Sequence, residues 1–204
     1  MYKVFLVVFT FSLVNSLFAQ NSPPVRELND VLETGQATLT AAGNGNSSGM
    51  AVNGYLQNRT TGELRISIYL KQGLYLRNSG PGQNMVATKI YLKGGRYLSD
   101  GQSSFIVLGA RESMEVDFLA FCANLERDNP SLGESFSKGA MPSKLRTIAE
   151  KINKYMDEHP DDEDTVTIAQ LALWRHQGET RDEISEHFRF TQNDWDKASI
   201  LLNY

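Results

Sequence analysis

The spacing of apolar residues changes once along this chain, and the change divides it into two structural regimes. Between residues 36 and 124, short alternating runs at 64–70, 85–92, 104–108 and 114–118 are separated by turn-forming clusters, among them Asn53-Gly54, Asn78-Ser79-Gly80-Pro81-Gly82 and Gly94-Gly95. Alternation of this kind puts one face of a strand in a core, and several short strands at this spacing predict a β-sandwich or a small barrel. From Pro142 onward, Leu145, Ile148, Ala149, Ile152, Tyr155 and Met156 recur at helical spacing. A second helix is expected from about 165 to 175, stopping before Gly178. Thr180 and Glu183 form a capping box ahead of Ile184, His187 and Phe188, and Thr191 can cap a last helix carrying Trp195, Ala198, Leu201 and Leu202.

Helices this short cannot bury an apolar face alone, so they must pack on the strands. The expected class is therefore α+β, with an N-terminal β-sandwich-like or small barrel region packed against a C-terminal layer of short helices. A single domain over 36–204 is expected, β-rich over 36–124 and helical over 142–204. Residues 20–35, with Pro23-Pro24, read as a linker or a loosely docked lead-in segment.

Residues 1–19 read as a signal peptide: Lys3, an apolar run over 4–14, and Leu17-Phe18-Ala19 ahead of Gln20. The run is too short to span a bilayer comfortably and no second one follows, so the expectation is a secreted protein, extracellular or cell-surface associated, with the periplasm open as a compartment and no membrane span. The net charge is −4, and no cluster of Lys and Arg offers itself to phosphates, which speaks against nucleic acid as a partner. The acidic run 157–164 lacks the spacing of an EF-hand loop and reads as a solvated loop ending in an Asp164 or Thr165 cap.

The chain holds one cysteine, Cys122, so its core cannot rely on intramolecular disulfides. An unpaired thiol in an exported protein calls for an explanation. Cys122 stands in Phe121-Cys122-Ala123-Asn124, and Gln170 stands in Ala169-Gln170-Leu171-Ala172-Leu173-Trp174, an uncharged amide among apolar neighbours. A thiol can attack a glutamine carboxamide, expel ammonia and leave an internal thioester if the two side chains are held together and water is kept out. Phe121 and Trp174 are the candidate shields. The alternatives are a Cys122 that is merely a small buried hydrophobe, or one that forms an intermolecular disulfide.

These segments resemble the thioester domains of bacterial surface proteins. Phe-Cys-Ala-Asn at 121–124, followed by Asn129-Pro130, Gly133 and Phe136, is similar to that family's Tyr-Cys-hydrophobic-Asp/Asn segment. The stretch 169–174 is similar to its Thr-Gln-x-Ala-Ile/Val-Trp motif, with Ala169 in place of the threonine. The resemblance covers about residues 118–202. It implies a thioester between Cys122 and Gln170 that captures an amine or hydroxyl nucleophile on an extracellular or cell-surface protein or glycan. Such a module acts once and is not a turnover enzyme; it needs no cofactor or metal. The alternative function is a non-covalent extracellular ligand-binding or structural module with Cys122 only buried.

Other signals are weaker. His159, His176 and His187 have no zinc-like spacing, although His176 or His187 could assist thiol deprotonation or acyl transfer. Gly-Asn-Ser-Ser-Gly at 45–49 has the wrong register for a hydrolase elbow. Asn46 and Asn58 head glycosylation sequons in a eukaryote and are otherwise turn residues. Tyr69, Tyr75, Tyr91 and Tyr97 could line a carbohydrate face or form cross-strand pairs.

Overall fold

Six antiparallel strands close into a barrel in this computed structural model, which describes residues 22–93, 104–160 and 162–204. The expected signal peptide, the Gly94-Gly95 turn, Tyr97 and Asp161 lie outside the described residues. Around the barrel the strands run β2 (Ala37–Gly43), β3 (Ser48–Asn58), β8 (Ser113–Cys122), β6 (Met85–Leu92), β5 (Tyr69–Asn78) and β9 (Ser135–Lys138), and pairing of β9 with β2 completes the ring. A separate three-stranded sheet joins β1 (Val25–Arg26), β4 (Leu64–Ser67) and β7 (Phe105–Leu108), with β1 parallel and β7 antiparallel to β4. Five helices are described: α1 (Leu28–Glu33), α2 (Ser143–Glu158), α3 (Thr165–Gln177), α4 (Arg181–His187) and α5 (Gln192–Leu202). The observed class is the expected α+β arrangement, with the β-rich part a barrel and the C-terminal part a set of short helices.

Several local expectations change. The run 64–70 is two strands. The Ser67 hydroxyl donates to the Tyr69 carbonyl at 3.0 Å and accepts from the Tyr69 amide at 3.2 Å. That local bonding turns the chain at Ile68 and passes it from the small sheet into the barrel. Asn53-Gly54, expected as a turn, lies in the middle of β3, where Gly54 is opposite Ala41 on one side and Val116 on the other. A Cβ on Gly54 would stand 2.4 Å from the Phe118 ring. The glycine is there to let an aromatic ring cross the strand, not to reverse it. Residues 20–35 include β1 and α1, and Leu28 and Val31 of α1 are fully buried. The strand expected over 114–118 extends to Ser113–Cys122.

The helices dock through complementary chemistry. In α2 the residues Leu145, Ile148, Ala149, Ile152 and Tyr155 form one buried stripe. Each large aliphatic in that stripe contributes about 1.5–3 kcal/mol of burial before the entropy of ordering is subtracted. The stripe packs on β5 and β6, and Asn153 Nδ2 adds a 2.9 Å bond to the Leu70 carbonyl. Gly73, at φ +70°, forms a shallow seat there: a Cβ would stand 2.8 Å from Met141 Cε and 2.9 Å from Ala149 Cβ. We therefore expect Gly73→Ala to cost about 2–4 kcal/mol, from left-handed backbone strain plus overpacking. The thermal midpoint measures it, and an unchanged midpoint would mean that α2 does not sit against this bend.

Helix α3 is the centre of the helical layer. Ile168 to Trp174 are all buried, and the helix touches α2, α5, β3 and β8. It ends at Gly178, whose φ of +110° closes the C-terminus. Its start is not capped by the Asp164 side chain. The Asp162 carboxylate instead accepts from the Asp164 amide at 3.1 Å and from Lys197 Nζ at 2.7 Å, tying this loop to α5. The Lys197 hydrogen bond holds the Asp162 carboxyl below its usual range. The boxes at Thr180/Glu183 and Thr191/Asp194 are both formed. Arg175 clamps α3 to α5: its Nη1 donates to the Trp195 carbonyl at 2.7 Å and to Ser199 Oγ at 2.9 Å, and its guanidinium stacks 4.0 Å from the Trp195 ring centroid.

Candidate functional site

Cys122 is the last residue of β8, and its peptide sits where the barrel ladder runs out. On one side, Met85 of β6 is opposite Cys122, and the next amide, Ala123 N–H, donates to the Asn84 carbonyl at 2.8 Å. Backbone groups of successive strand residues point to opposite sides, so the N–H and C=O of Cys122 face the β3 side. There the pairing of β3 with β8 ends at Ser48 opposite Phe121. Both groups are met by the side chain of Gln170. The Cys122 N–H donates to Gln170 Oε1 at 2.9 Å, and Gln170 Nε2 donates to the Cys122 carbonyl at 2.9 Å. A carboxamide from α3 thus takes the place of a strand's peptide.

The surroundings are dry. Cys122, Gln170 and Phe121 are each 0% exposed, and Trp174, one helical turn beyond Gln170, is 3% exposed. Cys122 Sγ lies 3.6 Å from Met85 Sδ. Burial pushes the Cys122 thiol up from 9.0 to about 12, so a free thiolate is disfavoured at neutral pH. The Trp174 ring meets Phe188 edge to face at 5.4 Å between centroids. Its Nε1 is buried and has no hydrogen-bond partner among the described residues. A bonded frame holds the surrounding loop: Asn124 Oδ1 accepts from Asn84 Nδ2 at 2.9 Å, Gln83 Oε1 accepts from the Asn124 amide at 3.2 Å, and Gln177 Nε2 donates to the Ala123 carbonyl at 3.0 Å.

This geometry can support acyl chemistry. The Cys122 N–H already points at the oxygen that would carry negative charge if a nucleophile added to the Gln170 carbonyl carbon, which is the role of an oxyanion donor. Dry walls would protect an acyl sulfur bond once made. The same contacts also describe a structural clamp, since a buried amide with both of its groups bonded is satisfied as it stands.

The other candidates lie elsewhere. His159 stacks on Tyr155 at 4.2 Å, and His176 is half-buried, its pKa lowered by burial and by Lys151. His187 is exposed and lines a cleft with Trp174. Tyr69 and Tyr91 share another cleft with Lys89, whose ammonium lies 4.5 Å from the Tyr69 ring centroid, while Tyr75 packs against Gly139. Asn58 is fully buried; its Nδ2 donates to the carbonyls of Gly62, Leu108 and Gly109, so in the folded chain it is a structural asparagine and not a glycan acceptor. Asn46 is exposed. Among the described residues, no group of three His, Cys, Asp or Glu is placed to hold a metal ion, and no helix is long and apolar enough to cross a membrane.

Sequence reasoning singled out Cys122, Gln170, Phe121 and Trp174. It missed Met85, which faces the sulfur, and the asparagine and glutamine frame at Gln83, Asn84 and Gln177. The run Gln83-Asn84 beside the Gly-Pro-Gly turn was the available signal. No protein-family model matches the chain, and neither a curated protein nor a solved structure is similar to it.

Proposed function

We propose that this chain is an exported, thioester-domain-like module that captures an amine or hydroxyl nucleophile on an extracellular protein or glycan through a Cys122–Gln170 thioester. The observation that carries the reading is the pair of 2.9 Å hydrogen bonds that seat the Gln170 carboxamide on the Cys122 peptide in a site closed to solvent. Bond formation joins Sγ to the Gln170 carbonyl carbon and breaks its bond to Nε2. The thiol proton goes to that nitrogen, which leaves as ammonia. Because the thiol is held protonated, sulfur attack and proton transfer to the amide must be coupled. Escape of ammonia and exclusion of water then preserve the product. An incoming nucleophile reverses the roles: it takes the acyl group and returns the thiol, once per molecule.

Intact mass before and after incubation with methylamine tests this. The expected result is a chain short by one ammonia that gains one methylamine, with the label on Gln170. A full mass, with one thiol titratable only after denaturation, would overturn it. That result would favour a non-covalent module whose Gln170 is a clamp, the reading to which the satisfied amide and the raised thiol pKa also lend themselves.

A further inference from the structure

Clefts on the described surface include one of about 330 Å³ between α1 and Gly139 and a second of about 270 Å³ that contains Tyr69, Lys89 and Tyr91. Neither contains a residue of the frame around Cys122 and Gln170. A third, about 140 Å³, does: it is lined by Gln83, Leu125, Asp128, Trp174, His187 and Phe188, among others. Its walls come from three directions that converge on the buried pair. Trp174 is one turn from Gln170 on α3, Leu125 follows Cys122 on the same chain segment, and Gln83 holds the Asn124 amide and precedes Met85, the residue opposite Cys122.

We propose that this cleft is the port through which an uncharged nucleophile, whose lone pair the indole N–H can meet, reaches the thioester, with the Trp174–Phe188 pair as its inner door. This rests on the thioester reading above. One observation beyond the cleft itself points to an occupant. Trp174, 3% exposed, presents an indole N–H with no acceptor among the described residues, a donor that a group with a lone pair entering from the cleft could satisfy. Arg127, Asp128 and His187 are exposed at the rim, where the charges of Arg127 and Asp128 offset each other, and the Asp128 carbonyl accepts from the Gln83 amide at 2.9 Å. A volume of about 140 Å³ is the share of about five waters, enough for a small uncharged amine or alcohol and too small for a folded surface. Phe188 closes α4 and touches Trp174 only edge to face, so its side chain can move without opening the barrel.

The test uses the full mature chain, its mass deficit established first, and follows loss of the deficit with n-butylamine and with hydroxylamine, each reacting as its free base after solvent takes any ammonium proton. His187→Trp, which fills the cleft from the exposed face of α4, is expected to slow both reagents by about tenfold while the ammonia deficit persists. If His187→Trp fails to fold, Asn129→Trp fills the same cleft from the opposite wall. A wild-type chain with no deficit would remove the thioester reading and this port with it. A deficit that is present and reacts within twofold of wild type in the filled variants would remove the port alone.

Discussion

Replacing Gln170 with alanine is expected to abolish both the ammonia deficit and every covalent adduct, and also to cost the fold about 2–4 kcal/mol relative to the wild-type chain without its thioester. The two effects have separate causes. Loss of the adduct follows from loss of the acyl group. Loss of stability follows because the Cys122 N–H and C=O are each bonded at 2.9 Å to this one side chain, and truncation leaves both buried without partners. Cys122→Ala makes the opposite control. It abolishes the adduct equally, yet keeps both backbone groups and the carboxamide, so against the wild-type chain without its thioester the cost should be only about 1 kcal/mol from the lost sulfur contact. Denaturant midpoints of both variants, read beside their masses, check the pair. Equal stability would dismiss the amide as the closure of β8, and an adduct surviving in either variant would dismiss the thioester.

The second large effect is at Trp174. Truncation to alanine is expected to cost about 3–5 kcal/mol, because the ring is almost wholly buried and packs edge to face on Phe188. It should also hasten spontaneous hydrolysis of the thioester by opening a path from the cleft to the bond. Trp174→Phe separates shielding from packing: it retains an aromatic ring and removes the indole N–H that has no partner among the described residues. Its stability cost should be below about 1.5 kcal/mol, as for a conservative hydrophobic exchange. Hydrolysis followed by mass at neutral pH supplies the readout. A bond lifetime unchanged in the alanine variant would remove Trp174 from the shielding role.

What the sequence made legible was whatever local chemistry decides. The helix stripe from Leu145 to Tyr155, the stop at Gly178, the box at Thr180 and the cap at Thr191 are each set by residues within a turn or two, and each is present in the fold. What escaped was decided from a distance. Gly54 looks like a turn residue until the Phe118 ring is seen crossing it, and the break at Ile68 depends on where two different sheets need their strands. Helix α1 is too short for a period to show, and its burial of Leu28 and Val31 is conferred by the surrounding structure. At the site, the two reacting residues could be named because thiol and isolated carboxamide are chemically conspicuous. How they meet could not be read. Nothing in either motif says that the glutamine would bond to the cysteine's own peptide, because that depends on β3 ending one residue early against β8.

The positions of Cys122 and Gln170 have a mechanical consequence. One belongs to the barrel and the other to the helical layer, 48 residues apart in sequence. A covalent bond between them would close a macrocycle across the two halves of the fold, restricting the unfolded chain by roughly 4 kcal/mol in loop entropy. Every nucleophile captured would cut that ring. The unspent molecule would therefore be a tethered, tougher polypeptide, and the one fastened to its target a linear one, easier to unfold under load and easier for proteases to clear.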